Sequence, residues 1–534
     1  MKLKLTPNHW SLAGLIFIEL FALFLISPIL HSGLPPGIDT PSHLFSSWFL
    51  TKSLQSGVIP GINPYWYTGQ SFGVFYPPLP YYCVALLALL IKNVVLSYKI
   101  VTVAVFLLTP LTVYLVSIEF GLERKYSLIS TFLFTASYAY ISDISVMGRF
   151  TTGFALPFLV LSLFFLLRLK KGVFKNALFG GICLGILILS HQISTYSFLL
   201  IAGIYFIFVV IRFISTKSLK TIELVAVMCV IGAIVASWWL VPFVSRINEI
   251  GYQRTVAGGY SVPISFWKNQ IFRLNSINTR AYPFYIGYMV VFLGVIGAVA
   301  LLVKKELLLI LITVLMFLLS LGIIFPFFHD LPYYNNLDVA RFFLYGTVFL
   351  AILSGFGFAK IMELSGNKIV FIIMAAIIIS TSAGIGLRSR EKISTWQITP
   401  ALTESFQWLR VKGEPGRVYG MGMEFWDAYL LPVYADRQIP DGWLHESAKN
   451  WRDIVVLDNM EAGIEPVNIE TYYNILKSYD TTYILLGNHI GDHYFPQYDF
   501  NMYNEYVQLF ENSNHFKEVI RFGDVIIFKV VQNE

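Results

Sequence analysis

Ser11-Leu-Ala-Gly-Leu-Ile-Phe-Ile-Glu-Leu-Phe-Ala-Leu-Phe-Leu-Ile-Ser-Pro-Ile-Leu30 is followed, after a short Pro-rich link, by Gly37-Ile-Asp39-Thr-Pro41-Ser-His43-Leu44-Phe45. An apolar run of about 20 residues, coiled as a helix, spans the roughly 30 Å of a bilayer's hydrocarbon core. Lys2 and Lys4 stand before it, as they would before a secretory signal peptide. Many similar runs follow, however, so the segment reads as an uncleaved first transmembrane helix. The next runs centre near 79–96, 99–118, 127–142, 153–167, 176–194, 197–214, 222–243, 285–303, 306–325, 341–360 and 368–387. The carboxylate of Asp39 therefore lies just beyond a membrane span, in a loop rich in aromatic residues and poor in acids.

Composition agrees with this reading. Hydrophobic residues make up 56% of the 534, charged residues only 13%, and mean hydropathy is +0.65. Soluble chains carry roughly 25% charged residues. A disordered protein, a soluble enzyme and a DNA-binding domain are excluded. Charge is also divided: residues 388–534 hold 13 Lys+Arg against 21 Asp+Glu, and the remainder 25 against 11. An apolar, basic body (1–387) thus precedes an acidic tail (388–534). The basic excess marks cytoplasmic loops and not nucleic acid. Cys83, Cys183 and Cys229 lie in apolar runs and can build neither a disulfide framework nor a thiolate metal site.

Short loops carrying Lys and Arg set the orientation. Arg124-Lys125, Arg168 to Lys175, Arg212 to Lys220, Lys304-Lys305, and Lys360 with Lys368 can all be cytoplasmic together. Placing Lys2 and Lys4 inside as well requires that one run fail to cross. The segment 79–96 is expected to dip in and return, because it opens with Pro77-Pro78-Leu-Pro80 and contains Lys92-Asn93. That leaves about eleven transmembrane helices plus a re-entrant segment. Loops 31–78, 143–152, 245–284 and 326–340, and the whole tail, then face outward; an N-terminus outside is the alternative. The tail reads as a small extracytoplasmic α/β domain, with a helix over Ala401–Val411 and strands at Arg417-Val-Tyr-Gly, Thr482–Leu486 and Asp524–Val531.

Several polar residues sit where a membrane protein would otherwise be apolar. Asp39 either caps the helix beginning near Pro41 or performs chemistry; His43, four residues on, shares its face. Arg149 and Arg341 stand at outer helix ends, where they either snorkel or line a pocket. Asp143 either pairs with Arg149 or serves as a second carboxylate. His191 is ionisable near a helix end inside the membrane, and such groups are functional by default. Loop 245–284 carries Arg246, Arg254, Lys268, Arg273 and Arg280 against Glu249 alone, on the side where topology does not ask for cations. These either bind phosphate or are solvated. In the tail, the stretch Asp436 to Trp443 reads either as a packed surface or, with Trp426, as a platform for an acceptor sugar.

At Asp39-x-Pro-x-His43-Leu44 and Phe75-Tyr76-Pro77-Pro78 the chain resembles the GT-C glycosyltransferase superfamily. It is more closely similar to the membrane proteins labelled "6-pyruvoyl-tetrahydropterin synthase-related". Gly148-Arg149-Phe150, Ala155-Leu-Pro157, Leu189-Ser190-His191 and Arg341-Phe342 carry the same likeness. The pterin label finds no support in the loops, since such a synthase needs a three-His zinc site and no outward loop clusters histidines. The resemblance implies a GT-C-like polytopic helical membrane protein. It would transfer a sugar from a polyprenyl-phosphate donor to a glycan, lipid or protein acceptor on the outer face of the cell membrane. Asp39 matches the family's catalytic base, with Asp143 as second carboxylate. His43, Tyr76, Arg149, His191, Arg254, Lys268, Arg273 and Arg341 are the expected substrate-binding set. Some such enzymes use a divalent metal; with no Asp-x-Asp, no ligands are assigned here, and His329-Asp330 leaves the matter open. A transporter or flippase of lipid-linked saccharides, and a catalytically silent scaffold, are the alternatives.

Overall fold

The computed structural model describes residues 7–216, 219–247, 285–321, 331, 334, 337–423, 425–442, 450–461, 464–488 and 500–531. The first part of the chain forms α1 (Pro7–Ile26), α2 (Thr40–Gln55), α3 (Leu79–Ile91), α4 (Val94–Glu119), α5 (Arg124–Thr135), α6 (Tyr138–Ser145) and α7 (Phe150–Arg168). It continues through α8 (Phe174–Ile188), α9 (Gln192–Thr216), α10 (Lys220–Ser245), α11 (Tyr288–Val303), α12 (Leu308–Ser320), α13 (Phe342–Ser365) and α14 (Lys368–Arg390). Among the described residues, seven stretches are long and apolar enough to cross a bilayer: 9–30, 94–119, 150–171, 192–214, 220–245, 339–365 and 369–390. Four further helices, α3, α8, α11 and α12, are apolar but shorter.

Two of the apolar runs are divided. The run 127–142 is not one helix. It breaks after Thr135, and α6 restarts with the Ser137 hydroxyl accepting the Tyr140 N–H (3.3 Å). The segment 79–96 is also divided. Lys92 takes a left-handed conformation (φ 59°) that closes α3, and Asn93 caps α4 by accepting the Leu96 N–H. At 13 residues, α3 is about 20 Å long. That is too short to span the hydrocarbon alone, so it pairs with α2 and α4 as half of a helical hairpin.

The tail supplies α15 (Pro400–Val411), β3 (Arg417–Met421), α16 (Phe425–Ala435), α17 (Trp451–Glu461), α18 (Ile469–Ser478), β4 (Thr481–Leu486), α19 (Phe500–Glu511), β5 (Phe516–Phe522) and β6 (Val525–Val530); a two-stranded pair, β1 (Ile62–Asn63) and β2 (Gln70–Ser71), lies in the loop after α2. The four-stranded sheet runs β3-β4-β6-β5, with β3 parallel to β4 and the other pairs antiparallel. Its apolar face merges with the first loop. Leu44, Phe45, Trp66 and Tyr81 share one buried cluster with Val418, Ile484 and Phe528. Phe45 stacks on Trp66 at 4.0 Å between ring centroids, and Trp66 meets Tyr429 edge-on. Since hydrophobic burial is the main favourable term in folding, the tail and loop 31–78 are stabilised together.

Both ends of α4 are informative. Near its start, the buried Lys99 donates through Nζ to the carbonyls of His31 (2.5 Å) and Gly33 (2.7 Å). At its end, Glu119 meets Arg168, Lys170 and Lys171. Twenty helical residues separate them by about 30 Å. The Asp39 loop and the basic loop at 168–171 therefore lie at opposite ends of the bundle.

Candidate functional site

The Asp39 loop is held at four points. Leu34 exchanges two backbone hydrogen bonds with Trp396, and Lys99 grips the preceding carbonyls. Thr40 Oγ1 donates to Pro36 O (2.6 Å), and Asp39 N–H donates to Met147 O (2.9 Å). The last contact brings Gly37 against Gly148. Both adopt positive φ (116° and 68°), and a Cβ on Gly37 would come within 2.3 Å of Gly148 Cα. Only glycine allows that approach and that conformation. The two glycines join the loop carrying Asp39 to the one carrying Asp143 and Arg149.

Asp39 occupies the N-cap position of α2, but its side chain makes no capping hydrogen bond. Its carboxylate turns to Arg341, whose Nη2 lies 3.5 Å from Oδ2. Arg341 also donates through Nη1 to Thr152 Oγ1 (2.8 Å), meets His191 Nε2 (2.9 Å), and donates through Nε to Asp338 Oδ2 (3.3 Å). Arg149 donates to Asp143 Oδ1 (2.7 Å) and to the same Asp338 Oδ2 (2.9 Å). Three aspartates and two arginines thus form one ionic network; Arg149 and Asp143 are almost wholly buried, and Asp39, Asp338 and Arg341 keep a small exposed fraction. Charges removed from water this far hold only if each finds partners.

Guanidinium has no acceptor, so His191 Nε2 must accept from Arg341 and the ring proton sits on Nδ1. Nδ1 lies 2.8 Å from Ser194 Oγ, which meets Tyr345 OH (2.6 Å), and 3.3 Å from the Ser194 backbone nitrogen; the proton required on Nδ1 is directed to the hydroxyl, the shorter of the two contacts. His191 is therefore neutral and orients Arg341 from behind. His43 is buried with Nδ1 at 2.9 Å from Tyr81 OH, among the rings of Tyr76, Tyr81 and Phe150. Burial first, and Arg341 second, push its imidazole down to about 3. Tyr76 OH pairs with Thr151 Oγ1 (2.8 Å).

Burial raises the Asp39 carboxyl above its ordinary range; Arg341 and Arg149 pull it down, Asp338 and Asp143 push it up, and the net direction is upward. Asp143 is raised in the same way, with burial leading and Arg149 opposing. A carboxylate made more basic in this way is a better proton acceptor. Asp143 Oδ2 is buried without a hydrogen-bond partner among the described residues. No three His, Cys, Asp or Glu side chains among the described residues are placed to hold a metal ion. The carboxylates of Asp143 and Asp338 are turned to guanidiniums instead, so this donor set does not fit a metal.

Of the residues singled out in the sequence, Asp39, Asp143, Arg149, His191 and Arg341 meet directly, with His43 and Tyr76 behind them. Arg254, Lys268, Arg273, Arg280, His329, Asp330 and Trp443 lie outside the described residues, as does the Trp426 side chain. Arg246 packs near Phe75 and reaches Ser71 Oγ at 3.4 Å. Sequence reasoning missed Asp338, Thr152, Ser194 and Tyr345. For Asp338 a signal existed, since it stands one short turn before Arg341. The tail stretch from Asp436 is a packed surface in its described part: Ile439 N–H donates to Tyr65 O, and Tyr67 N–H to Asp441 O.

Several solved structures share this fold. The archaeal oligosaccharyltransferase AglB from Archaeoglobus fulgidus, in complex with an inhibitory peptide and a dolichol-phosphate, superposes with a TM-score of 0.63 at 12% identity, over 90% of this chain and 69% of its own. The arabinofuranosyltransferase AftD from Mycobacteria gives 0.63 at 13%, over 97% of this chain and 41% of its own. ArnT from Cupriavidus metallidurans, bound to undecaprenyl phosphate, gives 0.54 at 11%, over 98% and 99%. No curated protein sequence matches the chain. The fold is thus similar to that of these membrane enzymes. Residues 72–387 match the family described as "6-pyruvoyl-tetrahydropterin synthase related domain; membrane protein". That is more than half of the chain, and the protein belongs to this family of multi-pass membrane proteins.

Proposed function

We propose that the protein is an inverting membrane glycosyltransferase that moves a sugar from a polyprenyl-phosphate donor to an acceptor on the extracytoplasmic face. The observation that carries this reading is the Asp39 side chain, which leaves its helix cap unmade and faces Arg341 within the buried ionic network. A residue kept only to cap α2 would bond to a backbone N–H there. In the proposed reaction an acceptor O–H attacks the anomeric carbon and the bond from that carbon to the phosphate oxygen breaks. Asp39 accepts the acceptor's proton, and polyprenyl phosphate leaves. Arg341 and Arg149 stabilise the phosphate as charge accumulates on it.

The fold's likeness to enzymes solved with dolichol-phosphate and undecaprenyl phosphate supports the choice of donor. The proposed orientation places loop 31–78, the site and the tail 388–534 outside, with the tail as an extracytoplasmic domain. The far position of the basic loop at 168–171 supports it, because cations gather on the cytoplasmic side. A transfer assay with purified protein in nanodiscs and a polyprenyl-phosphate sugar tests the reading. Sugar transfer that depends on Asp39 supports it; lipid-linked sugar that crosses the bilayer unchanged would favour the transporter.

A further inference from the structure

Asp338 bonds both arginines through a single oxygen. Its Oδ2 accepts from Arg149 Nη2 at 2.9 Å and from Arg341 Nε at 3.3 Å. It precedes the short turn Val339–Arg341, and although its backbone carbonyl accepts the Arg341 N–H, its side chain makes no capping bond. The side chain faces the two guanidiniums. One anionic oxygen between two forked cations is the arrangement a phosphate oxygen would take.

Charge balance sharpens the point. Fully ionised, the network among the described residues holds three carboxylates against two guanidiniums. Adding a phosphate monoanion would leave a largely buried site two charges in excess; transfer keeps that total, since the proton taken by Asp39 offsets the second charge on the product phosphate, and loss of that proton to solvent makes it three. Like charges held together in a dry site cost several kcal/mol. Exchanging a carboxylate for the phosphate costs far less, and Asp39 and Asp143 are the worse candidates. Asp143 is anchored on Arg149 Nη1 and almost wholly buried, and Asp39 touches Arg341 only at 3.5 Å. Asp338 alone holds the position shared by both arginines.

Resting on the glycosyl-transfer reading, we infer that Asp338 competes with the donor phosphate for Arg149 and Arg341. It withdraws as the lipid phosphate enters and returns to expel the more highly charged polyprenyl phosphate after transfer. Asp338 is then a positioning residue that sets donor affinity and product release, and it does not touch the reacting carbon.

The test uses full-length protein in nanodiscs and farnesyl phosphate as probe, with no sugar needed. Asp338→Asn is expected to bind farnesyl phosphate about tenfold tighter than wild type, as removal of one like-charge contact implies. Farnesyl phosphate should also inhibit its turnover more strongly, while Asp338→Glu stays near wild type. In wild-type protein, the probe should increase hydrogen exchange at residues 337–341, where the displaced carboxylate is carried. That arm holds even if Asp338→Asn fails to fold. Unchanged or weaker binding by a folded Asp338→Asn, or protection of 337–341 by the probe, overturns the competition and leaves Asp338 as a brace. Absence of binding to wild type and Arg341→Ala alike removes the phosphate site itself, and with it the transfer reading on which the competition rests.

Discussion

Arg341 Nη2 lies 3.5 Å from Asp39 Oδ2, although 302 residues separate the two in the chain. The contact ties the first extramembrane loop to the start of α13 and fixes the direction of a carboxylate that could have served as a helix cap. It also lets the roles of the two residues be tested separately.

Asp39→Asn should abolish sugar transfer while leaving the fold nearly unchanged. Asn keeps the size of the side chain, and Arg341 retains Asp338, Thr152 and His191 as partners. Loss of a general base costs about 10²–10⁴ in rate. Transfer from a polyprenyl-phosphate sugar, measured beside farnesyl phosphate binding, checks this: turnover should fall and binding should persist. Wild-type turnover would remove the base role.

Arg341→Lys should behave almost as badly as Arg341→Ala. Lysine offers a single compact charge and cannot engage Asp39, Asp338, Thr152 and His191 from one planar fork. Donor affinity should fall about tenfold or more in both variants, since a phosphate oxygen loses its charged partner. Equilibrium binding of farnesyl phosphate measures it. A lysine variant of wild-type affinity would show that only charge matters.

Stability of the tail should fall as pH rises from about 5 to about 8.5. Burial pushes Asp441 up to about 7 and, with the Asp441 charge adding, Glu461 up to about 8. Unfolded, both return to about 4. The folded state therefore binds more protons between those limits, and the stabilisation present below about 4 is lost as pH climbs through 7 and 8. Asp436 works in the opposite direction: burial raises it, but hydrogen bonds from Lys52 and Tyr65 outweigh burial and hold it below its ordinary value. Its loss falls at more acid pH. Protease cleavage within 400–531 of the nanodisc-embedded protein should quicken with pH, and Glu461→Gln should flatten the profile.

Gly442→Ala should loosen the tail from the first loop. A Cβ there would meet Tyr67 Cε2 at 2.6 Å and Trp66 Cβ at 2.9 Å. Overpacking of this kind costs about 1–3 kcal/mol. Thermal unfolding should shift downward, and loop 62–71 should become accessible to protease. An unchanged melting temperature would mean that the interface can yield at this point.

Cysteine labelling of a variant lacking Cys83, Cys183 and Cys229 checks orientation. Ser56→Cys and Ser478→Cys, both on exposed residues, should react with an impermeant reagent from outside, and Lys170→Cys should not. Reaction at position 170 alone would invert the proposed topology.

Much of this protein was legible one segment at a time. Apolar runs, the charge division near residue 388, the opening helix and three strands of the tail, and the likeness carried by Asp39, Arg149, His191 and Arg341 all rest on local information. Transfer free energy is a property of the individual residues, so a span or a strand shows in its own stretch of sequence. The partners of those residues were not legible in the same way. A carboxylate that caps a helix and one turned to an arginine look alike in sequence, and the direction of the Asp39 side chain was decided only when Gly37 met Gly148 and α13 brought Arg341 beside it. Asp338 gained its place by bridging two arginines that no sequence spacing relates. Likewise the break at Ala136, inside an apolar run, and the docking of Ile439 and Asp441 on loop 65–67 were decided by packing. Ion pairs and close backbone contacts depend on where whole helices cross, which is fixed by burial summed over the molecule and not by any one stretch of it.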